Sequence, residues 1–180
     1  CTTVICTDKT GTLTQNEMTV SRIWLGGRDL DVTGVGYDAQ GGGILEGPQP
    51  VPQNDAALRG LLSAAALCCN ARLIPPNAES PRYTVLGDPT EAALLVAAQK
   101  DGLTLSELNN RAPRLRELPF DSGRKRMSTI HQIKNDRCAY VKGSPKEVLE
   151  LCTSVLRDGK AAAIADEERK SIMAANDGYA

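Results

Sequence analysis

The chain has 180 residues, of which 41% are apolar and 24% are charged, with a net charge of -1. This balance is typical of a folded globular protein, and an aromatic content of only 3% means that its core must be aliphatic. It excludes a surface that recruits nucleic acid or anionic membrane through net charge, and the longest apolar stretch, residues 61–69, is too short to span a bilayer.

Cysteine content limits the kind of site that the chain can contain. The sequence has no C-x-x-C pair and only one histidine, His131. A structural zinc site is therefore not expected, and the six cysteines are interpreted as free thiols in a reducing compartment. The chain opens at Cys1 on a strand-like run and stops just past a helical pattern, so we expect both ends to lie inside a longer protein.

The first predicted elements are two strands joined by a tight turn. Residues 18–25 and 28–33 have strand-like patterns, and the pair Gly26-Gly27 between them predicts a hairpin. Residues 37–52 follow with four glycines and three prolines. That composition predicts a mobile surface loop.

Helices and strands alternate in the rest of the chain. Caps and apolar positions at helical spacing predict four helices, over residues 54–69, 88–99, 144–152 and 166–175. Asn54 is the predicted N-cap of the first, and Asp88 or Thr90 begins the second. Three more strands are predicted, over residues 115–118, 127–133 and 138–141. This order favours the α+β class, with an antiparallel sheet flanked by helices.

The most specific segment for chemistry is ICTDKTGTLT, residues 5–14. An apolar strand ends in Asp8, whose carboxylate can attack a phosphorus atom while backbone N–H groups and threonine hydroxyls hold the phosphate oxygens. Related phosphatases often have an acid/base aspartate two residues further on, where this chain has Thr10. A hydroxyl cannot perform that proton transfer at neutral pH, so we expect an aspartyl phosphate to persist.

The run DKTGTLT resembles the phosphorylation motif of P-type cation-transporting ATPases. The resemblance implies that Asp8 is the phosphorylated nucleophile and that Asp8 and the Thr10 carbonyl contact Mg²⁺. It also implies that residues 1–14 are a fragment of the phosphorylation domain with the start of a hinge. Residues 15–180 are then the nucleotide-binding domain, truncated at its C-terminal end.

Three later segments match motifs of the same family, in the same order. LGDPTEAAL places Glu91 in a first helical turn, where a carboxylate also suits the helix dipole. FDSGRKRMS begins with Phe120, the only phenylalanine of the chain. The resemblance implies that Glu91 faces the adenine amino group, that Phe120 stacks on adenine, that Lys125 lies near the phosphates and that Met127 lines the pocket. Burial of Phe120 in the core is the alternative interpretation.

The third segment, VKGSP, places Lys142 at the end of a strand and Gly143 where backbone can approach a ligand closely. It resembles the family motif Lys-Gly-Ala-Pro-Glu, in which the lysine lies deep in the ATP cleft. This chain departs from the motif at Ser144 and at Lys146, where a glutamate is usual. No Gly-x-x-x-x-Gly-Lys-Ser/Thr loop is present, so ATP affinity should be modest.

The resemblance implies the ATP-binding domain of a pump that couples ATP hydrolysis, through an aspartyl phosphate, to cation transport. ATP and Mg²⁺ are the implied cofactors, and the phosphorylation, actuator and transmembrane domains of the same polypeptide are the implied partners, with no role for nucleic acid. The domain would lie on the cytoplasmic side of an integral membrane protein. The continuation QNEM at residues 15–18 is most similar to calcium pumps.

Two other functions remain open at the level of sequence. One is a haloacid-dehalogenase-like phosphatase with a large cap domain, against which Thr10 and the three pocket motifs argue. The other is a binding module without catalysis. We expect the isolated chain to bind nucleotide without turning it over.

Overall fold

The computed structural model describes residue 4 and residues 17–78, 80–157 and 159–179. The predicted phosphorylation motif, with Asp8 and Thr10, lies outside these described residues. Antiparallel sheets alternate with five helices within them, which confirms the α+β class.

A four-stranded antiparallel meander opens the described part of the chain. Its strands are β1 (Arg22–Leu25), β2 (Arg28–Val32), β3 (Ile44–Glu46) and β4 (Gln49–Pro50), hydrogen-bonded in that order. The predicted hairpin between β1 and β2 is confirmed. Gly26 and Gly27 have φ angles of 59° and 87°, a left-handed conformation that costs glycine little.

The prediction of a loop over residues 37–52 is confirmed for residues 37–43 and was wrong for the part after them, because β3 and β4 extend the meander through it. Ile44 pairs with Val32 on β2, and Ile44 and Tyr37 are both buried in the core. Gly42 adopts a φ of 134°, and a Cβ there would lie 2.2 Å from the Thr33 carbonyl oxygen. The glycine run therefore lets the chain turn tightly beside β2, and burial of two large apolar side chains holds it there.

Two twelve-residue helices begin at aspartate caps. Helix α1 (Ala56–Leu67) is capped by Asp55, one residue after the predicted Asn54. One Asp55 oxygen accepts the N–H groups of Ala57 and Leu58, and the other accepts a 2.7 Å hydrogen bond from Arg28. A carboxylate suits both contacts, since it supplies two charged acceptor oxygens. Helix α2 (Pro89–Lys100) begins after Asp88, as predicted.

The main core lies between α1 and α2 and is almost entirely aliphatic. A hairpin of β5 (Arg72–Ile74) and β6 (Thr84–Leu86) and the short helix α3 (Leu105–Arg111) border these helices. The fully buried side chains include Leu30 from the meander and Leu58 and Leu67 from α1. The core thus contains the small and branched residues that the composition predicts.

A three-stranded antiparallel sheet packs beside α1. Its strands are β7 (Arg114–Asp121), β8 (Arg126–Ile133) and β9 (Asp136–Gly143), each longer than predicted. The remaining elements are α4 (Pro145–Leu151), a hairpin of β10 (Ser154–Arg157) and β11 (Lys160–Ala163), and α5 (Asp166–Tyr179). The end of β7, the start of β8 and the end of β9 meet at one edge, because neighbouring strands are antiparallel.

Candidate functional site

The Glu91 carboxylate is held by two separate parts of the chain. Its Oε2 accepts the backbone N–H groups of Asn70 at 2.7 Å and Ala71 at 2.9 Å. Its Oε1 forms an ion pair of 2.6 Å with Lys142 Nζ at the end of β9. The structure therefore brings together Glu91 and Lys142, which were predicted from motifs 51 residues apart.

These contacts determine the charge state of Glu91. Burial alone would raise the pKa of this carboxyl, but the Lys142 ammonium and the two backbone N–H groups outweigh burial and leave the pKa below its ordinary value. The thiol of Cys69 lies 3.7 Å from Oε2, and burial together with the Glu91 charge raises its pKa to about 11. At neutral pH the site thus contains a carboxylate, an ammonium and a neutral thiol.

Lys125 lies in the turn between β7 and β8 and is paired with an acidic residue. Its backbone has a φ of 50°, and its Nζ lies 2.6 Å from Glu147 Oε1 on α4. Hydrogen bonds from Lys125 and then Ser144 lower the pKa of Glu147 to about 2. Glu147 was missed in the sequence, although Ser144-x-x-Glu147 is a capping-box pattern before a helix.

The side chain of Phe120 is exposed. It lies near the end of β7, beside an irregularity in the pairing with β8, and 64% of its surface is accessible. Core burial, the alternative interpretation of this residue, is thereby excluded. Met127 lies on β8 opposite Lys142 and is only 4% exposed, so its side chain is buried.

Gly143 has a structural reason to be glycine. It pairs with Arg126 across the β8–β9 ladder, and a Cβ at this position would lie 2.3 Å from the Lys125 carbonyl oxygen. The Ser144 N–H donates to the same carbonyl at 2.9 Å. Close approach of two strands, which differs from the expected approach to a ligand, therefore accounts for the glycine and fixes the position of Lys125 next to the end of β9.

The site is suited to binding an aromatic, anionic ligand. It offers an exposed ring, two cations and a fixed carboxylate acceptor at one edge of the three-stranded sheet. The described residues include no group of three or more His, Cys, Asp or Glu side chains placed to hold a metal ion. Their helices are all too short or too polar to cross a membrane.

Comparison with known proteins identifies relatives of this chain. It is 37% identical over 171 residues to the calcium-transporting ATPase of Bacillus subtilis (strain 168), covering 94% of the chain and 19% of that relative. It is 41% identical over 160 residues to the probable cation-transporting ATPase F of Mycobacterium bovis, covering 88% of the chain and 17% of that relative. It is 37% identical over 182 residues to calcium-transporting ATPase 1 of Lactococcus lactis, covering 99% of the chain and 18% of that relative.

The chain thus spans less than a fifth of the length of these relatives. A family model described as "P-type ATPase, cytoplasmic domain N" matches residues 57–180, well over half of the chain. The chain therefore belongs to the P-type ATPase family, in the region of its cytoplasmic domain N.

Proposed function

We propose that this chain is the ATP-binding domain of a cation-transporting P-type ATPase, with calcium as the favoured ion. The observation that supports this function best is the exposed ring of Phe120 at the sheet edge where Lys125 and Lys142 also lie. An exposed aromatic ring next to two cations suits a base joined to a triphosphate. The whole protein would then couple ATP hydrolysis, through an aspartyl phosphate on Asp8, to cation transport.

Each proposed contact uses a group that the site presents. Phe120 stacks on adenine, Met127 lines the pocket and Lys125 contacts the phosphates, while Lys142, paired with Glu91, lies deep in the cleft beside the backbone of Gly143. The Glu91 carboxylate accepts a hydrogen bond from the 6-amino group of adenine. Asp8 and Thr10 would hold Mg²⁺, whose charge neutralises phosphate oxygens.

The ion pairs of the site predict that the affinity of the chain for ATP is modest. Lys125 is paired with Glu147 and Lys142 with Glu91, each at 2.6 Å, so both ammonium charges are already partly neutralised and the phosphates must share Lys125 with Glu147. Much of the attraction between a triphosphate and two ammonium groups is thereby offset. Asp8 and Phe120 are far apart in the sequence, so we expect the domain to close onto the phosphorylation loop. This closure would add the missing contacts.

ATP should bind the chain with a Kd on the order of 0.1–1 mM, equivalent to roughly -4 to -5.5 kcal/mol. A titration followed by amide chemical shifts measures this directly. The largest shifts are expected at Phe120, Lys125 and Lys142. An unchanged spectrum at several times the expected Kd would refute the proposed function.

The phosphatase alternative makes an opposite prediction. A haloacid-dehalogenase-like enzyme would hydrolyse small phosphate esters, whereas the proposed ATPase domain should not. The family match and the cation-transporting relatives favour the ATPase. An assay with para-nitrophenyl phosphate on the same preparation distinguishes the two.

Lys146→Glu, which restores the usual family residue, should have small effects. Lys146 is exposed in the first turn of α4 and has no side-chain partner among the described residues. A negative charge there suits the helix dipole, so the free energy of unfolding should rise by about 0.3–1 kcal/mol at low salt. ATP affinity should change by less than roughly threefold, or about 0.7 kcal/mol.

Urea unfolding and ATP titration of Lys146→Glu at low and high salt provide the test. A loss of ATP affinity of about tenfold, larger at low salt than at high salt, would place Lys146 in the nucleotide site instead.

A further inference from the structure

Arg114, the first residue of β7, holds the segment of chain that follows α1. Its Nη2 donates to the backbone carbonyls of Leu67 at 2.7 Å and Cys69 at 2.6 Å. Its Nη1 donates to Asn70 Oδ1 at 2.7 Å and lies 3.2 Å from Glu117 Oε2. The Asn70 amide donates in turn to Glu117 Oε1 at 2.7 Å, which closes a ring of three side chains.

The segment that Arg114 holds also holds Glu91. Its next two backbone N–H groups, from Asn70 and Ala71, are the donors to Glu91 Oε2. Asn70 and Ala71 lie after α1, which ends at Leu67, and before β5, so neither a helix nor a strand ladder fixes the direction of their N–H groups. A guanidinium that bridges two carbonyls two residues apart supplies that constraint, since its planar fork leaves little freedom to its partners.

We propose that Arg114 is a positioning residue of the nucleotide site: by fixing the Leu67 and Cys69 carbonyls, it aims the Asn70 and Ala71 N–H groups at Glu91. Glu91 is thereby held with Oε1 toward Lys142. This inference rests on the proposed function for its effect on nucleotides. Its effect on the two N–H groups is independent of any ligand.

Two variants test the proposal. Arg114→Ala removes all four contacts, and Arg114→Lys keeps the charge but has one freely rotating nitrogen, which cannot serve the two carbonyls and the Asn70 and Glu117 side chains in the fixed geometry of the guanidinium. In both, the amide proton resonances of Asn70 and Ala71 should move upfield, and their exchange with solvent should accelerate by about tenfold or more. Arg116→Ala is the matched control, because Arg116 lies on the same strand and has no side-chain partner among the described residues.

The nucleotide readout is the ratio of affinities for ATP and inosine triphosphate, which has a carbonyl in place of the 6-amino group. A correctly held Glu91 favours ATP, so both Arg114 variants should lower the ratio by about fivefold, the equivalent of one hydrogen bond. In the chain that keeps Arg114, Glu91→Gln should lower this ratio of affinities. In a chain that carries an Arg114 variant, Glu91→Gln should have little further effect on the ratio. A residue that only stabilises the fold would lower the thermal midpoint and leave the ratio unchanged.

The outcomes separate this inference from the proposed function. If the unmodified chain does not bind ATP, the proposed function fails, and the amide resonances alone decide the role of Arg114. If ATP binds but both Arg114 variants keep the amide shifts and the ATP preference, the positioning role is overturned. If Arg114→Ala does not fold, Arg114→Lys supplies the same two measurements.

Discussion

Phe120→Ala is expected to weaken ATP binding by about 1–3 kcal/mol, the usual cost of losing a stack between a base and an aromatic ring. The free energy of unfolding should fall by much less than the roughly 3–5 kcal/mol expected for a buried phenylalanine. The difference arises because 64% of the Phe120 surface is already accessible in the folded chain. Calorimetric titration with ATP and urea unfolding of the same variant measure both quantities.

Leu115→Ala is the matched control for Phe120→Ala. Leu115 is an exposed apolar residue on the same strand, β7, and 51% of its surface is accessible. Its replacement should leave ATP affinity unchanged. Severe unfolding of Phe120→Ala with unchanged affinity in the folded fraction would instead show that the ring stabilises the fold and does not stack on adenine.

Strong local signals explain why the starts of α1 and α2 could be predicted to within one residue. Asp88 and Pro89 form a cap and first turn that few other conformations accommodate, and α2 begins there as expected. The predicted start of α1 was wrong by one residue, because a residue distant in sequence determines which side chain caps the helix. Asp55 is preferred over Asn54 where Arg28 can pair with the cap, and Arg28 lies 27 residues earlier in the chain.

Short elements were missed because their stability comes from distant contacts. Strands β3 and β4 were taken for a loop, since glycine and proline dominate residues 37–52 and Ile44 alone gives no strand periodicity. Helix α3 has only seven residues, with Leu108 as its buried side chain. Marginal propensity cannot specify such elements, and packing against neighbours decides them.

Motifs nominated the residues of the proposed site, but the ion pairs among them could not be predicted from the sequence. Motifs pointed to Glu91 and Lys142, whereas their mutual ion pair depends on how β9 packs near the start of α2. Glu147 lies next to Lys146, the departure from the family motif, and pairs with Lys125. Its carboxylate places a negative charge in the first turn of α4, one residue after the usual position.

The second large effect is expected for Lys142→Met. This change removes the cation but keeps an unbranched side chain, so the Glu91 carboxylate, only 13% exposed, retains its two backbone donors without a counter-charge. The free energy of unfolding at pH 7 should fall by about 1–3 kcal/mol, since a largely buried group loses its partner. ATP affinity should fall as well, because Lys142 no longer holds Glu91 in the proposed cleft. Lys146→Met, four residues away and exposed, should change neither quantity.

The dependence of this loss on pH identifies Glu91 as its cause. The pKa of Glu91 in the folded chain is below its ordinary value. The ionised carboxylate therefore stabilises the fold at pH values above the pKa of the unfolded chain. This stabilisation is lost as the pH falls through the pKa of the folded chain. Lys142→Met removes the strongest contact that lowers this pKa. The stability difference between the unmodified chain and the variant should therefore be largest near neutral pH and shrink as Glu91 becomes protonated in acid.

Adding Glu91→Gln to Lys142→Met should recover part of the loss of stability at pH 7, since it removes the unpaired charge. Urea unfolding at a series of pH values measures this, and a difference that stays constant into acid would show that Lys142 stabilises the chain without Glu91.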